Sequence, residues 1–146
     1  LRMQNAYGSE RLDLPVPLEA QYWNGTFYVT NTDDSCTILP MNSIVMSNFT
    51  GGLAACETQI KSPTGNATLV NGAIAGGLKL AAPGTGNAGS VDLAINVTAV
   101  ASGNTCVGST PTAATAANRP WFAPNLGGRV TFGIYRSPLI YLRENY

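Results

Sequence analysis

Histidine is absent from the sequence, and charge is scarce. Asp, Glu, Lys and Arg make up 11% of the 146 residues, against ~25% in an average domain. The absent imidazole removes the commonest general base, the Ser-His and Cys-His triads and every Cys/His zinc site. The eight basic residues balance the eight acidic ones, so no basic field exists to hold a nucleic acid. A membrane-spanning helix needs ~20 consecutive apolar residues. The longest stretch poor in charge, Leu80 to Asn118, carries Asp92 and is broken by Pro83, Gly84, Gly86 and Gly89. CxxC and Gly-x-Ser-x-Gly motifs are missing too.

What is present reads as strands. Gln21 to Trp23 and Thr26 to Val29 flank Asn24-Gly25, a strong hairpin signal because both turn positions favour φ > 0. Ser43 to Phe49 and Cys56 to Lys61 flank Thr50-Gly51-Gly52, and Ala67 to Val70 and Ile74 to Leu80 flank Asn71-Gly72. Val91, Leu93, Ile95 and Val97 alternate with Asp92, Ala94 and Asn96, the period of a half-buried strand. Val130 to Ile134 and Leu139 to Leu142 close the chain, the second after a turn at Ser137-Pro138. Nine or ten short strands divided by turns predict an all-β fold, an antiparallel β-sandwich of Ig-like, Greek-key or jelly-roll kind, in one domain over 1–146. Ala99 to Asn118, rich in Ala, Ser, Thr and Gly, reads as a long surface loop with one helical turn near Ala113 to Ala117.

Three cysteines, Cys36, Cys56 and Cys106, suit an oxidising compartment. Neighbouring antiparallel strands run in alternate directions. One predicted strand between Cys36 and Cys56 puts those two at opposite ends of a sheet. Four predicted strands between Cys56 and Cys106 bring that pair to the same end, and a disulfide needs close Cα atoms. Cys56–Cys106 is therefore the expected bridge, with Cys36 left over. Asn24, Asn48, Asn66 and Asn96 head Asn-x-Thr triplets, which double as polar strand and turn residues.

Candidate chemistry is thin. Gly84-Thr85-Gly86-Asn87-Ala88-Gly89 mimics a dinucleotide loop, but it lies between strands and opens no helix. Glu10, Asp13, Glu19, Asp33, Asp34 and Glu57 offer no spacing that selects a catalytic pair. The expectation is a protein that is not an enzyme and needs no cofactor. Asp33 and Asp34 are the candidate calcium ligands; the alternative is an Asx-turn in which the carboxylate bonds its own backbone. Trp23, Trp121, Tyr7, Tyr22 and Tyr28 are candidates for stacking on a sugar, with Trp23 and Trp121 leading; the alternative is cross-strand packing.

Low charge also favours association. Leu1 to Tyr7 has one charge and no Pro, and Gly8 to Pro17 reads as a linker stiffened by Pro15 and Pro17. Leu1, Met3, Asn5 and Tyr7 are thus the expected face of an exchangeable strand that pairs with a neighbouring copy, building a homopolymer by β-strand addition. Leu139 to Tyr146 is the expected terminal edge strand. The chain opens on Leu1 without a signal-peptide pattern, as expected of a processed product or a fragment.

The two ends of the chain carry a family likeness. It lies in the run Leu1 to Glu10, in Leu14-Pro15-Val16-Pro17-Leu18, and in Gln21-Tyr22-Trp23-Asn24-Gly25 with Asn31 to Thr37. It continues through Ala82-Pro83-Gly84-Thr85-Gly86-Asn87 and Gly89 to Leu93, and ends in Arg129 to Tyr135 and Ile140 to Tyr146. In these blocks the chain resembles the C-terminal domain of MshQ-like proteins, large secreted bacterial proteins associated with the MSHA type IV pilus. The resemblance implies a secreted or surface-attached product of a Gram-negative bacterium, with pilus or other surface proteins, or a glycan, as partners. It transfers no catalytic residue. Two functions follow as expectations: a structural, self-assembling surface subunit, and a carbohydrate-binding adhesin module.

Overall fold

Val91, Leu93 and Ile95 are buried and their neighbours Ser90, Asp92 and Ala94 half-buried, as the alternation requires. In the computed structural model they form β13 (Gly89–Ile95), the middle of a four-stranded sheet. The structure describes residues 1–96, 102–113 and 126–133. Among these, fourteen short strands and one 3-10 turn (Met41–Ser43) build an all-β fold. β13 lies between β8 (Ile44–Gly51) and β14 (Leu126–Phe132), and β2 (Ala6–Gly8) adds to β14 in parallel.

A second sheet has five strands in the order β1 (Arg2–Met3), β4 (Leu18–Glu19), β11 (Ala73–Ile74), β10 (Asn66–Val70), β7 (Ile38–Pro40). A third has β3 (Leu14–Val16), β12 (Leu78–Leu80) and β9 (Ile60–Ser62). β5 (Gln21–Trp23) and β6 (Tyr28–Thr30) form a separate hairpin. All three larger sheets feed one core, with Met3, Val16, Leu39, Leu69, Leu80, Leu93 and Phe132 among its members. Every buried side-chain nitrogen or oxygen among the described residues has a hydrogen-bond partner, as burial in a dry interior demands.

The strand pairing corrects several sequence readings. Leu1 to Tyr7, the expected exchangeable strand, pairs within its own chain. Arg2 and Met3 pair with Glu19 and Leu18, and Ala6 and Tyr7 pair with Val130 and Thr131 of the same chain. Leu1 packs on the core, Met3 is buried in it, and the exposed Asn5 accepts the Arg129 N–H on its Oδ1 at 2.8 Å; Tyr7 is 64% exposed. The physical reason is a change of sheet at Gln4-Asn5, which lets one short segment satisfy two sheets in turn. The supposed linker is not a linker either: Leu14–Val16 is β3, an edge strand opposite Leu78–Leu80, where Pro15 is tolerated.

The chain is also not a meander. β8 and β9 belong to different sheets, and β8 pairs with β13. Ile74 to Leu80 is two strands, β11 and β12, divided at Gly76-Gly77. Cys56 and Cys106 are joined, with Cα atoms 5.1 Å apart, and Cys36 is free and exposed. The expected pairing therefore holds, although, among the described residues, two strands rather than one separate Cys36 from Cys56, and five rather than four separate Cys56 from Cys106. The terminal strand expected over Leu139 to Tyr146 lies outside the described residues, as do most of Ala113 to Ala117 and Trp121.

The segment 102–113 runs along the outer edge of β8. Asn104 and Met46 exchange backbone hydrogen bonds of 2.9 and 2.8 Å. Further on, Thr112 N–H donates to the Asn42 carbonyl at 3.1 Å and its hydroxyl to Asn42 Oδ1 at 3.0 Å. The disulfide from Cys106 fixes the segment between these points.

Candidate functional site

Four exposed aromatic residues cluster at one place. Tyr22, Trp23, Phe27 and Tyr28 are 51%, 56%, 57% and 63% exposed, all on the β5–β6 hairpin. Large apolar side chains so exposed and so close in sequence mark a contact surface rather than a core. Trp23 stands opposite Tyr28 in the strand register, and their rings meet edge to face at a centroid distance of 5.2 Å. Such pairs contribute about 0.5–1.5 kcal/mol beyond area burial. The cross-strand reading of these aromatics is thus correct, and it leaves more than half of each ring in solvent.

Local chemistry shapes the tip. Asn24 Oδ1 accepts the Thr26 and Phe27 N–H groups at 2.9 and 3.0 Å, and Asn24 N–H donates to the Phe27 carbonyl at 3.1 Å. The turn therefore holds four residues, Asn24 to Phe27, and not the two expected; Gly25, at φ 101°, is its one left-handed residue. The side-chain cap replaces the second left-handed position that a two-residue loop would need.

The base of the hairpin is pinned. Glu19 accepts Gln21 Nε2 on one carboxylate oxygen and the Thr30 hydroxyl on the other, both at 2.7 Å. Ala20 donates its N–H to the Gly72 carbonyl at 2.7 Å and accepts the Asn31 N–H at 2.8 Å. Gly72 in turn donates to the Asp34 carbonyl at 2.8 Å. The Asn71-Gly72 turn, far along the chain, thereby holds both the hairpin and the loop that follows it. Between them lies an open hollow of about 430 Å³, lined by Tyr22, Trp23 and Tyr28 and by Ala20, Gln21, Asn31 and Asp34.

The Asp34 carboxylate caps its own loop. Its Oδ1 accepts the Cys36 and Thr37 N–H groups at 3.3 and 3.0 Å, and its Oδ2 accepts the Thr37 hydroxyl at 2.8 Å. This is the Asx-turn alternative, and Asp33 beside it is exposed. Among the described residues no group of three or more His, Cys, Asp or Glu is placed to hold a metal ion.

Of the sequence-derived stacking candidates, Trp23, Tyr22 and Tyr28 meet at the hollow, Tyr7 stands apart on β2, and Trp121 lies outside the described residues. Phe27, Gln21 and Asn31 were not among the candidates. Phe27 carried a signal in its place beside Asn24-Gly25; Asn31 reaches the hollow through the distant Gly72 turn, which no local pattern announces.

A family model described as DUF6701, fourth domain, matches residues 1–145. No curated protein and no solved structure matches the chain.

Proposed function

We infer that this chain, which belongs to the DUF6701 fourth-domain family, is a non-enzymatic binding module of a bacterial cell surface that holds glycans on the β5–β6 hairpin. The observation that carries the reading is the exposure of Trp23 beside Tyr22 and Tyr28 at a hollow with polar walls. Sugar rings present apolar C–H faces and a rim of hydroxyls, and a site with aromatic faces and a few placed polar groups answers both. The absent histidine, the low charge and the lack of a nucleophile–base spacing support a role without catalysis. The Cys56–Cys106 bridge and the likeness to MshQ-like secreted proteins support an extracellular place. Among the described residues no helix is long and apolar enough to cross a membrane. The self-assembling reading keeps that location but loses the free donor strand it required.

The test uses Trp121→Phe, which leaves Trp23 as the one remaining indole. Its fluorescence is titrated with oligosaccharides of glucose, galactose and N-acetylglucosamine. Quenching by at least one of them is expected, and Trp23→Ala should weaken that binding about tenfold or more, ~1.4 kcal/mol, without shifting the melting temperature. A flat response to the whole panel, matched by no heat of binding, would sink the reading.

A further inference from the structure

We propose, resting on the glycan reading above, that the hollow takes an uncharged sugar and that Asn31 reads two neighbouring hydroxyls of it. Asn31 is half-buried, and its backbone is fixed: its N–H donates to the Ala20 carbonyl at 2.8 Å, and its own carbonyl accepts the Asp34 N–H at 3.1 Å. Asn31 lines the hollow, and its side chain makes no hydrogen bond among the described residues. A carboxamide offers a donor and an acceptor side by side, the pattern that two adjacent hydroxyls complement. A side chain on a backbone already held in place loses little freedom when it binds.

Charge narrows the ligand further. Among the described residues no Lys or Arg lines the hollow, and the one acidic lining residue is Asp34. Glu19 stands just behind, bonded to the lining residue Gln21. Arg2 is opposite Glu19 in the strand register but forms no ion pair with it. Recognition of a carboxylate or sulfate group draws on Arg or Lys, and this site offers an acidic sugar a carboxylate instead.

The experiment is calorimetry on the folded chain with three probes: a neutral oligosaccharide from the panel that quenches Trp23, the same sugar lacking one ring hydroxyl, and glucuronate or galacturonate. Asn31→Ala and Asn31→Asp should each bind the neutral sugar about tenfold more weakly, with the maximal Trp23 quench and the melting temperature unchanged. The deoxy sugar should bind the native chain about as weakly and lose nothing more in Asn31→Ala. The uronates should bind at least about tenfold more weakly than the neutral sugar. Full affinity in both Asn31 variants, or uronates bound as tightly as the neutral sugar, overturns the proposal while the glycan reading stands. A native chain that binds none of the sugars overturns both.

Discussion

The Asp92 carboxylate is shared by two neighbouring strands. Arg129 on β14 donates Nε to Oδ1 at 2.7 Å and Nη2 to Oδ2 at 3.2 Å, and Asn48 on β8 donates Nδ2 to Oδ2 at 2.9 Å. The Arg129 hydrogen bonds, followed by that of Asn48, hold the carboxyl below its ordinary pKa, against a smaller opposing effect of burial. A carboxyl with a depressed folded-state pKa contributes stability above its unfolded value, ~3.9, and loses it as pH falls through the folded value. Melting temperature should therefore drop below about pH 4. Asp92→Asn should cost about 2 °C at pH 7, a small figure because the side chains are 29% and 58% exposed and water screens the pair. It should also shrink the acid loss without abolishing it, because the Lys61 ammonium holds Asp13 down in the same way. Thermal melts from pH 7 to pH 2 on both proteins check this; identical acid limbs would refute it.

Turns decide how the elements meet. At 70–73 the chain reverses in two residues, with Asn71 at φ 51° and Gly72 at φ 82°. The dipeptide predicted that turn, because these two residues enter the left-handed region most easily. A Cβ on Gly72 would collide with the Asn31 carbonyl. Gly72→Ala should therefore lower stability by about 1–3 kcal/mol, seen as an earlier denaturant midpoint, and should shift Trp23 emission as the hairpin base moves. A wild-type midpoint would show that the contact yields at no cost. The same dipeptide at 24–25 misled, because the Asn24 side chain caps a longer turn there. The alternation of β13 was legible because one face is buried along its length. Its pairing with β8 was not, since pairing across forty residues leaves no local trace. Of the site, the aromatics were legible as residue types, while Asn31 and Asp34 depend on a turn remote in sequence.

At the scale of the whole molecule, β8 is an eight-residue strand with β13 on one side and, among the described residues, the 102–113 segment on the other. Among the described residues that outer edge carries no paired strand; it is met by the Met46–Asn104 bridge, with the Asn42 contacts and the Cys106 link to Cys56 beside it. An uncovered edge of that length is a template for another chain, and a protein of zero formal net charge has little repulsion to keep copies apart. Cys106→Ser removes a cross-link over 50 residues, a loss of ~4 kcal/mol in the chain-entropy model, and with it the fixing of the segment over the edge. Light scattering at neutral pH should then rise with protein concentration, while the oxidised native chain stays clear; equal clarity would show that the hydrogen bonds alone suffice. The bridge thus makes colloidal behaviour depend on redox surroundings. Reducing conditions are expected to leave the chain prone to aggregate, and an oxidising medium to keep it dispersed.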